Sequence, residues 1–119
     1  LQRSIAIPIL PIKIIGMSNV KFLKMTDNDA LSILRDCATD DKRVYFSKHA
    51  EQRMVERNIT RLQILKCLTK GRITESPYRD VKGDFRLTIE HYTAGNVVSV
   101  AVAIKFNDNR VYTVIVTVF

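Results

Sequence analysis

The sequence predicts an α+β domain, with two to three N-terminal helices packed on one face of a three- to four-stranded antiparallel, curved sheet. Three observations predict it. Apolar residues recur at helical spacing as far as Lys70 and at a spacing of two from Arg72 onward. Capping residues bracket the helical segments. A chain of 119 residues is long enough for one core and too short for two, and a hydrophobic content of 46% excludes a disordered chain.

Residues 1–16 form an apolar lead-in that Pro8 and Pro11 keep from being helical. It is shorter than the roughly 20 residues a membrane helix needs, and no small-residue cleavage site follows it. Met17-Ser-Asn reads as a natural start, with residues 1–16 as upstream sequence or, if native, an extended edge strand or flexible arm, and 17–119 as the single domain. No membrane contact and a cytoplasmic setting are expected.

A first helix is expected over 27–38, capped by Thr26 or Asp27, with Ala30, Leu31, Ile33, Leu34 and Cys37 on its apolar side. A polar turn (38–43) leads to a short Val-Tyr-Phe run. Ser47 then caps a second helix that ends near Asn58. The third helix has the clearest grammar. Thr60 and Gln63 make a capping box, Ile59 and Ile64 a hydrophobic staple, and Gly71 is expected as the left-handed stop.

Beyond Arg72, Ile73–Tyr78 reads as a strand ending at Pro77. Phe85, Leu87 and Ile89 alternate with Arg86, Thr88 and Glu90, as in a half-buried strand. Thr93-Ala-Gly-Asn is a turn. Val97–Phe106 is apolar on both faces and suits a central strand. Residues 107–110 turn the chain into a last strand, Val111–Phe119, on which Thr113 and Thr117 are expected to share a face.

The chain carries 19 basic and 12 acidic residues, a net charge of +7. Between Lys42 and Arg72 stand nine lysines and arginines against two glutamates, which accounts for the whole excess. Such a field attracts polyanions, RNA or DNA foremost. Within it, His49, Arg53 and Arg57 follow at i, i+4 and i+8, one stripe of a helix. The plainest reading of that stripe is a solvated basic face. The chemical reading is an imidazole, which titrates near neutrality, beside fixed cations that suit a phosphodiester.

Metal-free RNA cleavage requires a base for the 2′-OH proton, an acid for the leaving 5′ oxygen, and cations for the charge that builds on phosphorus. His49 fits the proton transfer, Arg53, Arg57 and Arg86 fit the phosphate, and the Thr117 hydroxyl can donate to the same oxygens. Lys48, Arg61 and Lys105 are the further nucleic-acid contacts expected. His91 alternates with Phe85, Leu87 and Ile89, which places it on the covered face instead. Cys37 and Cys67 lack the spacing of a metal site and read as buried thiols of a reducing compartment, with one disulfide as the alternative, so no metal and no cofactor are expected. No Walker loop, dinucleotide fingerprint, HExxH or nucleophile elbow is present, which removes the nucleotide-dependent and serine-hydrolase readings.

The run Phe46-Ser-Lys-His-Ala-Glu-Gln-Arg-Met-Val-Glu-Arg-Asn-Ile-Thr60, followed by Lys-Gly-Arg-Ile, resembles the opening of the bacterial family called domain of unknown function 4258. Phe85-Arg-Leu and the closing Val-Ile-Val-Thr-Val-Phe119 are similar to its later strands, and the likeness runs from about Val44 to Phe119. That family is grouped by remote similarity with the barnase–EndoU–colicin–RelE ribonuclease fold. The resemblance implies an endoribonuclease toxin of a toxin–antitoxin or contact-inhibition system, with RNA as substrate and a cognate antitoxin as protein partner. It marks His49, Arg53 and Arg57, with Arg86 and Thr117 on the strands. Phe119 stands where the family often ends in Tyr, so a terminal phenol is absent. Two other classes compete with this reading: a non-catalytic nucleic-acid-binding module, and an interaction protein that docks an acidic partner on the basic helix.

Overall fold

The computed structural model describes residues 24–40, 43–93, 95–107 and 110–119. The lead-in 1–16 and the start expected at Met17 lie outside these residues, as does part of the turn at 107–110. The element order is α1 (Asp27–Thr39), β1 (Val44–Phe46), α2 (Lys48–Arg57), α3 (Arg61–Lys70), β2 (Arg72–Arg79), β3 (Phe85–Thr93), β4 (Asn96–Asn107) and β5 (Arg110–Val118). The protein is an α+β fold with its helices ahead of the main body of the sheet.

The sheet has five strands in the order β1-β5-β4-β3-β2. It is mixed rather than purely antiparallel. β2, β3, β4 and β5 form the expected meander, but Val-Tyr-Phe at 44–46 joins β5 as a short parallel edge. The long connection from β1 to β5 permits that parallel pairing, which a hairpin cannot make. β4 is the central strand, in keeping with its two apolar faces.

Two capping boxes start helices. Thr26 and Asp29 exchange side-chain and backbone hydrogen bonds at α1, and Thr60 and Gln63 do the same at α3. α2 ends at Asn58, whose φ of 57° and ψ of 47° place it in the left-handed region that Asn tolerates. Gly71 corrects an expectation, since its φ of −76° is ordinary extended backbone. A Cβ there would lie 2.4 Å from the Cys67 carbonyl oxygen and 2.6 Å from that of Glu90. Glycine is needed because the chain lies close against the last turn of α3 and against β3 at once, not for a left-handed turn.

β2 continues through Pro77 instead of ending at it. It is an edge strand with two register shifts against β3, and an edge tolerates the missing N–H. The core lies between the helices and one sheet face. Leu34 of α1 and Ile64 and Leu68 of α3 pack with Leu87, Ile89, Val100, Val102, Ile104 and Ile115. Each large aliphatic side chain buried there contributes about 1.5–3 kcal/mol. Arg35 links two of the elements, its Nε donating to the Thr69 carbonyl at 2.7 Å and so satisfying an acceptor of the last turn of α3. No helix among the described residues is long and apolar enough to cross a membrane.

Candidate functional site

The junction between β1 and α2 positions the predicted stripe. Ser47 donates its N–H to the Ile115 carbonyl at 3.1 Å, and its hydroxyl accepts from the Ala50 N–H at 2.9 Å. The same hydroxyl donates to the Val116 carbonyl at 2.8 Å. Val116 sits at a bulge, because Ala101 pairs with Thr117 while Val102 pairs with Ile115. The helix cap thus serves a carbonyl that the strand ladder leaves over.

α2 lays Ala50 and Met54 toward the core and leaves Lys48, His49 and Arg57 exposed. Among the described residues neither the His49 nor the Arg57 side chain has a hydrogen-bond or ion-pair partner. Arg53 is different. Its Nε donates to the Val118 carbonyl at 3.1 Å and its Nη1 meets Glu56 at 3.3 Å, so it ties the helix to the end of β5. The guanidinium of Arg61 lies 4.6 Å from the centroid of the Phe46 ring.

The sheet face away from the helices carries Arg86, Thr88 and Glu90 of β3, Ser99, Ala101, Ala103 and Lys105 of β4, and Tyr112, Val114 and Thr117 of β5. These positions alternate with the core residues. The expectation that Thr113 and Thr117 share a face is corrected. The bulge at Val116 shifts the alternation, leaving Thr113 fully buried with the core and Thr117 on the open side. Thr117 stands across from Ala101, and Ala101 across from Thr88, whose hydroxyl donates to Glu75 at 3.0 Å.

Both cations expected on this face are engaged by the β2–β3 turn. Lys105 Nζ donates to Asp84 at 2.7 Å, and Arg86 Nε lies 3.4 Å from Asp80. The Asp84 bond raises the Lys105 pKa against the opposing effect of desolvation. Desolvation would raise the Asp80 pKa, but it is outweighed by bonds from the Asp84 and Lys82 N–H groups and the charges of Arg86 and Lys105, so the carboxyl stays below its usual range. The open face therefore balances its charge locally, while exposed basic side chains of α2, α3 and the start of β2 (Lys48, Arg57, Lys66, Lys70 and Arg72) carry the surplus.

The sequence pattern that defines domain of unknown function 4258 matches residues 46–119, more than half of the chain. The protein belongs to this family. No curated protein and no solved structure matches it. The domain of unknown function 4258 region begins at Phe46, immediately before the Ser47 cap, and includes α2, α3 and the four strands that follow. Helix α1 lies ahead of it and covers the same core by packing on α3, β2 and β5.

Two features of this domain of unknown function 4258 protein escaped the sequence reading. One is the Asp80–Asp84 turn that holds Arg86 and Lys105. Asp80-Val-Lys-Gly-Asp84 is a turn signature that would have revealed it. The other is a pair of tyrosines, Tyr45 and Tyr112, brought edge to face at 5.3 Å between ring centroids by the parallel β1–β5 pairing. Nothing local in the sequence connects residues so far apart. Cys37 and Cys67 are free, buried thiols, and His91 is half-buried on the core-facing register of β3, opposite the buried Val98.

Proposed function

We propose that this protein is a small, metal-independent endoribonuclease of toxin type that engages RNA through α2 and the adjoining basic surface. The observation that carries the reading is the exposed His49 in the first turn of α2, with exposed Lys48 and Arg57 on the same helix, in the segment that holds the whole net charge. Lys48 and Arg57 hold phosphate oxygens, and Thr117 extends the contact onto the open sheet face. His49 performs one of the two proton transfers and solvent the other. The 2′ oxygen loses its proton and attacks phosphorus, and the 5′ oxygen leaves with a proton. Arg53 acts through its bond to Val118 as a positioning residue. A reducing cytoplasm suits both an RNA substrate and two unpaired thiols. A cognate antitoxin would cover the same cationic helix.

The engagement of Arg86 and Lys105 by Asp80 and Asp84 favours a second reading, a non-catalytic RNA-binding module, because it leaves fewer cations to converge on a reacting phosphate. Product chemistry separates the two. Incubation with single-stranded RNA in excess EDTA should yield fragments ending in 2′,3′-cyclic phosphate. Salt-sensitive binding without fragments would support the binding module.

A further inference from the structure

The end of the open sheet face nearest the β4–β5 hairpin forms a depression of about 350 Å³ lined by Tyr45, Lys105, Asn107, Arg110, Tyr112 and Val114. Pairing explains how it is built. Tyr45 stands across from Val114, Tyr112 across from Lys105, and Arg110 across from Asn107. Alternation turns all six toward the same side of the sheet. Val114 forms an apolar floor, two phenol rings form a wall, and an amide with two cationic side chains forms the rim.

Tyr45 is 45% exposed, a large aromatic surface to leave in water on a strand. The Arg110 guanidinium lies 6.0 Å from its ring centroid, and Lys105 Nζ is held in place by Asp84 at 2.7 Å. Rigid aromatic faces beside positioned cations match the pattern by which proteins hold single-stranded nucleic acids, with bases on rings and phosphates on the basic rim. The volume lies within the roughly 300–1,000 Å³ of small-ligand sites, enough for one nucleotide. A duplex would keep its bases stacked on each other and offer this corner only phosphate and sugar.

We propose that this depression is a nucleobase subsite, in which one base of a single-stranded nucleic acid stacks on the exposed Tyr45 ring with Tyr112 closing its edge, while its phosphate meets the rim at Arg110 and shares Lys105 with Asp84. The proposal rests on the RNA reading above and names where the strand is gripped. Ser47, two residues beyond Tyr45, caps the helix that bears His49, so one rigid junction positions both the base and the imidazole.

Fluorescence anisotropy with a labelled single-stranded oligoadenylate tests it, with unlabelled duplex RNA as competitor. Tyr45→Ala and Tyr112→Ala should each weaken binding by about tenfold, the scale of one lost base–aromatic stack. Tyr45→Phe and Tyr112→Phe should bind as the parent does, because a ring suffices, and both retain the side-chain volume at each site. Tyr92→Ala, exposed on the same face at the far end of β3, should bind as the parent does. The slope of affinity against salt should be unchanged in the tyrosine variants, since no phosphate contact is removed. Parent-like binding by both alanine variants would overturn the subsite and leave the RNA reading standing. A duplex that competes as well as the single strand would also overturn it. Absence of oligoadenylate binding by the parent at low salt would overturn both.

Discussion

The hydroxyl of Ser47 donates to the carbonyl of Val116 at 2.8 Å, linking the cap of α2 to the bulge of β5. One side chain thereby starts the helix that carries His49, satisfies the extra residue of the strand, and fixes which face Thr117 occupies. Ser47→Ala removes the cap and leaves the Val116 carbonyl without this donor. The expected loss of stability in urea denaturation is about 1–3 kcal/mol, a missing cap plus a weakly satisfied acceptor. A midpoint equal to that of the parent would show that the bulge does not depend on the cap.

Arg53 and Arg57 lie one turn apart and should behave oppositely. Arg53→Ala breaks the bond to Val118 and should destabilise the fold by about 1–2 kcal/mol, the range of a partly exposed charge-assisted bond. Arg57→Ala should change stability by less than about 0.5 kcal/mol, as surface substitutions do, yet weaken RNA binding and lower its salt slope by about one. Paired urea and binding titrations check both.

Gly71→Ala sets a methyl group against two backbone oxygens, neither at the end of a flexible side chain. Moving α3 away from β3 relieves only the Glu90 contact, and the Cys67 contact requires the last turn of α3 to change as well, so a loss of about 2–3 kcal/mol is expected by chemical denaturation. The glycine itself was legible in the sequence but its reason was not. A residue after a helix suggests a left-handed stop, and only the fold shows that the Cys67 carbonyl of α3 and the Glu90 carbonyl of β3 together exclude a side chain.

The same contrast runs through the rest of the molecule. Helices and strands were legible because caps and hydrophobic periods are local properties of Thr26, Thr60, Gln63 and the Phe85–Ile89 alternation. The parallel edge at Val44–Phe46, the buried position of Thr113 and the tyrosine pair were not, because each depends on pairing across a distance or on one bulged residue. Of the candidate site, the exposure of His49, Lys48 and Arg57 followed from the helical pattern. The bond of Arg53 to a strand end and of Lys105 to Asp84 did not, since sequence spacing shows which cations share a face and not what lies across from them.

The two thiols give a pH dependence with a definite sign. Burial pushes the Cys67 thiol up from 9.0 to about 12, helped by the nearby charge of Glu90, and burial raises Cys37 as well. Because folding raises both pKa values, the contribution of each thiol is fully present below the unfolded pKa near 9.0 and is lost as pH rises through its folded value, which for Cys67 is about 12. Urea midpoints should fall from pH 9 upward, by at most about 1.4 kcal/mol per pH unit for each thiol, and Cys67→Ala should show a shallower decline. Neither thiol should react with iodoacetamide at pH 8 until the chain is unfolded.

His49 is an exposed imidazole whose side chain has no structural partner among the described residues. The most direct measurement incubates total RNA with the parent protein and with His49→Ala in EDTA, and follows binding of each to a single-stranded oligonucleotide. Ribonuclease action through His49 predicts cleavage by the parent, a loss of about 10²–10⁴-fold in the variant as for a removed acid–base group, and equal affinity in both. Equal cleavage by the two proteins, or binding by both with no cleavage by either, would contradict it.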